Sequence, residues 1–280
     1  MAAVAEEQGH EVSIIDAEAE GLSQEKLVDR ALKLKPDLIG LTTFSPFFHV
    51  NRNLAQALKE RNPDRPIAIG SPHITIMKDE AFLPVFDYAF MGEGESSFPQ
   101  FLKQLESGGD ISQVKGVIFR KDGGIVNTGD PDPISMEPPA AGIEGKATRG
   151  RGYPLDQFPL PARHLLPMKK YRLGSLHGRM NFTTIQSMRG CPWKCIFCAS
   201  DLLNTTRVII MRGHYLLEAI SLSNAPSGAQ SLLRFLVPLS RGAPQTDMAI
   251  DRHIARTIVS RTTSNRESDA TTPIGKFSVI

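Results

Sequence analysis

Three cysteines fall within eight positions, in the run Arg189-Gly190-Cys191-Pro192-Trp193-Lys194-Cys195-Ile196-Phe197-Cys198, and they are the only cysteines in the 280-residue chain. An odd number at this spacing excludes a disulfide framework and fits a reduced, cytoplasmic compartment. The pattern C-x3-C-x2-C can wrap one metal centre from a single loop. Structural zinc takes four closed ligands, most often from paired C-x2-C units. Here there are three donors and no His at ligand spacing; His177 and His214 are placed by no motif. A four-iron cluster on three thiolates leaves one iron open to a substrate or cofactor. Gly190 and Pro192 suit a tight backbone. Trp193 and Phe197 can shield the centre from water, and Arg189 and Lys194 can offset thiolate charge and lower the thiol pKa values. On spacing alone, zinc and iron–sulfur both stand.

Such a loop needs elements to present it. Residues 2–8 read as a helix stopped by Gly9, and 11–16 as a strand ending in Asp16, which serves either as a helix-entry cap or as a ligand-facing group. Residues 23–34 have helical spacing behind a Ser23 cap. The run 37–45 is a strand apolar enough for burial on both faces. Helical 51–59, strand 66–73, a short helix at 79–83, strand 87–95 and a helix through Phe98, Phe101, Leu102 and Leu105 follow. Residues 114–126 read as a hairpin with a Lys-Asp-Gly-Gly turn. Fourfold alternation of strand and helix predicts an α/β fold with a doubly wound, Rossmann-like parallel sheet. Ligands on such sheets sit at the strands' carboxyl ends, here Thr42–Pro46, Gly70–His73 and Gly92–Glu95. Gly92-Glu93-Gly94 could equally be an ordinary strand-to-helix turn, and His73 a satisfied loop histidine. The chain opens on a helix where such a domain opens on a strand, so a first strand and its loop are expected upstream.

Composition narrows the classes. The chain is 41% hydrophobic and 22% charged, which fits globular domains and not collagen-like or disordered chains. A net charge of +2 without a sustained basic run implies no nucleic acid as main partner. No apolar stretch approaches the ~18 residues of a membrane span, and the acidic MAAVAEEQGHEV start is no secretory signal.

The cysteine loop, placed after a strand at 180–190 and with an aromatic before its last cysteine, resembles the radical S-adenosylmethionine superfamily. The stretches GHEVSIIDAEAEGLS, PDLIGLTTFSP, IAIGSPHIT and DYAFMGEGES resemble the cobalamin-binding domain fused to many of those enzymes. Together the resemblance covers about residues 1–200. It implies that Cys191, Cys195 and Cys198 hold a [4Fe–4S] cluster whose open iron chelates S-adenosylmethionine, with Phe197 approaching the adenine. It implies a corrinoid against the strand ends. Thr42, Thr43 and Ser45 would line one loop, Gly70, Ser71 and His73 a second, and Gly92, Glu93 and Gly94 a third. The Asp-x-His-x-x-Gly signature of His-ligated cobalamin proteins is absent, so a His-off corrinoid is expected. The implied function is radical methylation or rearrangement of a small-molecule substrate, driven by an electron donor such as flavodoxin or ferredoxin, with neither nucleic acid nor membrane involved.

The domains expected are 1–126 (cobalamin-binding-like), 127–179 (Pro/Gly-rich linker), 180–200 (first strand and cluster loop of a partial barrel) and 201–280 (an atypical tail). Only 82 residues follow Cys198, too few for the family's partial (βα)6 barrel. Residues 1–200 carry 23 basic against 24 acidic side chains; 201–280 carry nine against six, eight of the nine being Arg. A reading-frame change or misassembled gene end, or else a divergent C-terminus, accounts for that shift, and little folding is expected beyond about residue 200. Two other readings stand beside the enzyme. One is a fragment that binds corrinoid only. The other is a methylthiotransferase-like radical protein, against which the lack of any cysteine before Cys191 speaks.

Overall fold

Leu38, Ile39 and Leu41 point apolar side chains to both faces of one short strand, which therefore needs cover on both sides. The computed structural model supplies it. It describes residues 1–132, 134, 154–171, 184, 188–191, 193, 195–199, 203, 209–210 and 276–279. The strands are β1 (Glu11–Ile14), β2 (Leu38–Thr42), β3 (Ile67–Gly70), β4 (Tyr88–Phe90), β5 (Val117–Lys121), β6 (Gly124–Asn127), β7 (Met188–Arg189), β8 (Ile209–Ile210) and β9 (Lys276–Val279). The α-helices are α1 (Ala2–Glu7), α2 (Ala17–Glu20), α3 (Gln24–Lys33), α4 (Phe48–Arg61), α5 (Pro72–Met77) and α6 (Gly94–Ser107).

Seven strands form one sheet in the order β1-β9-β2-β3-β4-β5-β6. The first five are parallel; β5 and β6 add an antiparallel hairpin at one edge. Its Asp122 and Gly123 both have positive φ, as the sharp turn between twisted strands requires. Side chains alternate across the sheet. Ile39, Leu41, Ile67 and Ile69 pack with Leu27, Val28 and Ala31 of α3 and Leu54, Ala55 and Leu58 of α4. Leu38 and Ala68 face the other way, onto Ala5 of α1 and Phe101 and Leu102 of α6. Each such Ile or Leu, fully buried, contributes about 1.5–3 kcal/mol. The fold is thus the doubly wound α/β layer that the alternating pattern implies. Among the described residues no helix is long and apolar enough to cross a membrane.

Local chemistry sets the boundaries. Ser23 caps α3 by accepting from the Lys26 N–H at 3.4 Å. Asp16 caps α2 by accepting from Ala19 N–H at 2.9 Å, which settles its role as a cap. The cap also accepts from the Tyr171 hydroxyl, and burial followed by this bond pushes the Tyr171 phenol up to about 12. The segment 154–171 therefore returns to the sheet. His164 meets Glu6 of α1 at 2.8 Å, and Leu165 packs against the α1 and α6 face. The expected linker's first residue, Asn127, belongs to β6, and apart from 127–132 and 134 the rest of that linker lies outside the described residues.

Several elements depart from the sequence reading: α2 is not expected, α5 begins inside the strand expected over 66–73, and the strand expected over 87–95 ends at Phe90. α4 begins at Phe48, earlier than the helical spacing suggests, because Ser45–Phe47 form a tight turn that feeds it. And β9, from the far end of the chain, lies between β1 and β2. The tail reading does not anticipate that; most of 201–275 lies outside the described residues.

Candidate functional site

β2, β3 and β4 end side by side, and their three loops are stitched together. Thr43 N–H donates to the Gly70 carbonyl at 3.2 Å, joining the first loop to the second. Gly92 N–H donates to Thr75 Oγ1 at 2.9 Å, joining the third loop to α5. Thr75 and Asn51, whose Nδ2 donates to the Thr42 carbonyl at 3.1 Å, are positioning residues that spacing alone does not single out. Both are small polar residues in the first turns of helices at strand ends, the one signal that could have marked them. Thr42 and Ser45 are exposed, whereas Thr43 is only 1% exposed. Thr43 therefore ties the loops together from inside instead of lining their surface.

His73 is held on two sides. Its Nδ1 lies 3.0 Å from Ser45 Oγ, and its ring packs on Phe48 with centroids 4.3 Å apart. Burial holds its pKa below the ordinary histidine value, which favours the neutral ring.

The second loop carries strain. Ser71 sits at φ 97°, ψ 178°, a region that glycine occupies freely and other residues rarely. Its carbonyl fixes it there by accepting from Ile74 N–H at 3.1 Å and Thr75 N–H at 3.3 Å, while Pro72 opens α5 directly behind. Ser71→Gly is expected to stabilise the chain by about 1 kcal/mol, the released strain of ~1–3 kcal/mol less the extra unfolded-state entropy of glycine. Urea denaturation of parent and variant measures it; a lower midpoint for Ser71→Gly would contradict the strain account.

The third loop turns at Gly92 (φ 61°), where an added Cβ would lie 2.6 Å from Pro131 Cγ. The same proline sits 2.8 Å from a Cβ built on Gly116. After the turn come Glu93 and Glu95. Arg189, two residues before the first cysteine, bonds both, at 3.5 Å to Glu93 Oε1 and 2.6 Å to Glu95 Oε1. All three side chains are at most a quarter exposed. Burial raises the Glu93 pKa, and Arg189 opposes that rise. Burial would lower Arg189, yet the bonds and charges of Glu95 and Glu93 outweigh it and hold the guanidinium above its ordinary value. Arg189 thus anchors the cysteine loop to the third sheet-end loop, and its charge faces those carboxylates instead of the thiols.

The cysteine loop itself leaves β7, which pairs with β8, through Gly190 at φ 88°. Cys191 is half-buried; Cys195 and Cys198 are exposed and joined by a turn in which Cys198 N–H donates to the Cys195 carbonyl at 3.0 Å. Trp193 and Phe197 are 72% and 90% exposed, so neither shields a centre in this arrangement. Among the described residues no three Cys, His, Asp or Glu side chains are gathered at metal-holding distance. The donor set fits an iron–sulfur cluster in type, number and loop placement, while the three sulfurs do not converge on one point. At the strand ends, the exposed Phe44 and Phe47 offer an apolar rim of the kind that a flat macrocycle would cover. A cavity of about 360 Å³ lies at the opposite edge, near Asp87, Gly109 and Lys121, away from all three loops and the cysteines.

Residues 1–102 match the family described as the B12 binding domain. The chain is 28% identical over 207 residues to an uncharacterised methyltransferase of Pyrococcus horikoshii, covering 73% of this chain and 40% of that one. It shares its fold with TsrM, a radical S-adenosylmethionine methyltransferase from Kitasatospora setae solved with cobalamin and a [4Fe-4S] cluster bound (TM-score 0.56, 17% identity, 82% of this chain and 43% of that one). It shares it also with OxsB, a cobalamin-dependent S-adenosylmethionine radical enzyme (TM-score 0.60, 16% identity, 82% of this chain and 29% of that one). The chain spans less than half the length of these proteins.

Proposed function

From a front domain whose residues 1–102 match the B12 binding domain and a three-cysteine loop that follows it, we propose that this chain serves a cobalamin-dependent radical S-adenosylmethionine reaction, with methyl transfer to an unactivated carbon of a small molecule as its outcome. The observation that carries the reading is the Arg189 bridge to Glu93 and Glu95, because it brings the cysteine loop to the sheet edge where a corrinoid would lie. When bound, the cluster and S-adenosylmethionine supply a radical and the corrinoid a methyl carrier; the hard chemistry is theirs. The chain's own residues position and exclude. Cys191, Cys195 and Cys198 would hold iron. Ser45, Ser71 and the neutral His73 would offer polar groups to a corrinoid, and the exposed Phe44 and Phe47 an apolar surface. Phe197, exposed beside Cys198, is free to stack on an adenine. An electron donor of the flavodoxin or ferredoxin kind would have to reach the cysteine loop, whose exposure suits that approach.

Anaerobic reconstitution of the full chain with iron, sulfide and hydroxocobalamin tests the reading. The expected result is about four iron per chain, one retained corrinoid, and 5′-deoxyadenosine release on adding S-adenosylmethionine and a reductant. The ungathered cysteines favour one second reading, a module that binds corrinoid alone. Corrinoid retention without iron would select it, and zinc in place of iron would defeat the radical chemistry.

A further inference from the structure

β1 and β2 follow each other in the chain but do not touch as strands. Each is bonded to β9 instead, with Glu11, Val12, Ser13 and Ile14 opposite Lys276, Phe277, Ser278 and Val279, and with Leu38, Ile39 and Gly40 opposite Phe277, Ser278 and Val279. The position is interior to the sheet, so without β9 the facing N–H and C=O groups of both neighbours would lose their ladder partners in a buried place. Ser278 is 2% exposed and shares a face with Ser13 and Ile39, the latter packed into the α3 and α4 core. A small side chain therefore stands at the middle of the slot. The occupying sequence is compatible with a strand, with the β-favouring Phe277 and Val279 flanking that serine and with Pro273 and Gly275 ahead of it.

We propose that the gap between β1 and β2 is a strand-acceptor site and that Lys276–Val279 fills it as a separable peptide ligand carried by the chain itself. The site takes an extended β-forming segment in parallel register with a small residue at the buried centre. Its occupancy bears on the loops above. Ile14 and Gly40, the neighbours of Val279, lie two residues before Asp16 and Thr42, so the tail steadies the strand ends from which the first loop and the α2 cap depart.

Hydrogen exchange read by mass spectrometry on the full chain tests this. Ser278→Pro cannot sit in an interior strand. It is expected to lower amide protection at least about tenfold in 12–14 and 38–40 while 67–70 and 117–121 keep theirs. An excess of a synthetic peptide spanning 273–280 should then restore the lost protection. Ser278→Ala should match the parent. Unchanged protection in Ser278→Pro would overturn the proposal. So would uniform loss across every strand that the peptide does not relieve, or loss in Ser278→Ala equal to that in Ser278→Pro.

Discussion

Cys195→Ala is expected to remove essentially all iron from the reconstituted chain while leaving its fold and its corrinoid binding unchanged. The two halves of that result have separate physical causes. A cluster on three thiolates that loses one keeps two, and among the described residues no group of three Cys, His, Asp or Glu side chains is placed to hold a metal in its stead. The fold does not notice, because Cys195 is exposed and its side chain contributes nothing to either face of the sheet. Surface changes of this kind stay within about 0.5 kcal/mol. Iron and acid-labile sulfide analysis beside a thermal melt reads both halves at once. Unchanged iron content would dismiss the cysteines as ligands; a lowered melt would mean that the loop is packed more tightly than its exposure states.

Arg189→Met acts in the opposite sense, on the fold first. It leaves Glu93 and Glu95 side by side, largely desolvated and without their cation. Breaking a fully buried pair costs about 3–5 kcal/mol, and the partial exposure of this one brings the expectation to about 2–3 kcal/mol. The loss depends on pH. Burial already raises the Glu93 pKa and Arg189 holds it back, so removing Arg189 raises it further. A carboxyl whose folded pKa lies above its unfolded value gives its stabilisation below the ordinary carboxylate range and loses it as pH rises through the folded value. The deficit of Arg189→Met is therefore expected to be smaller near about pH 5 than near about pH 8, and Glu93→Gln added to it should recover part of the loss. Denaturation curves at the two pH values decide; a deficit that does not change with pH would mean that Glu93 stays fully ionised in the variant.

Which parts of this molecule are readable from its residues follows from how far apart the cooperating groups lie. Most of the sheet is legible because β1 to β6 carry their apolar runs locally and some helices their own boundary signal, such as the Ser23 cap and Gly108. The three loops are legible because a doubly wound sheet puts ligands at strand ends whatever the sequence between. β9 is not: a four-residue strand following a long polar stretch has no period to detect, and its partners stand at the other end of the chain. The double grip of Glu93 and Glu95 on Arg189 escapes for the same reason, and an arginine beside cysteines suggests thiolate charge instead. Thr43 reads as a lining residue because polarity at a strand end marks a loop but not its inward or outward side. The strain at Ser71 leaves no trace in the sequence, since that backbone region announces itself only when glycine occupies it.

The seat of Pro131 against Gly92 and Gly116 bears on how this protein can change over generations. No side chain can be accepted at either glycine while the ring stays in place, and both positions also hold positive φ. Replacement of the proline by something smaller must come first, and even then the backbone favours glycine. The three sites form a ratchet in mutational history, so lineages that keep this turn should be found to drift at residue 131 before they drift at the other two.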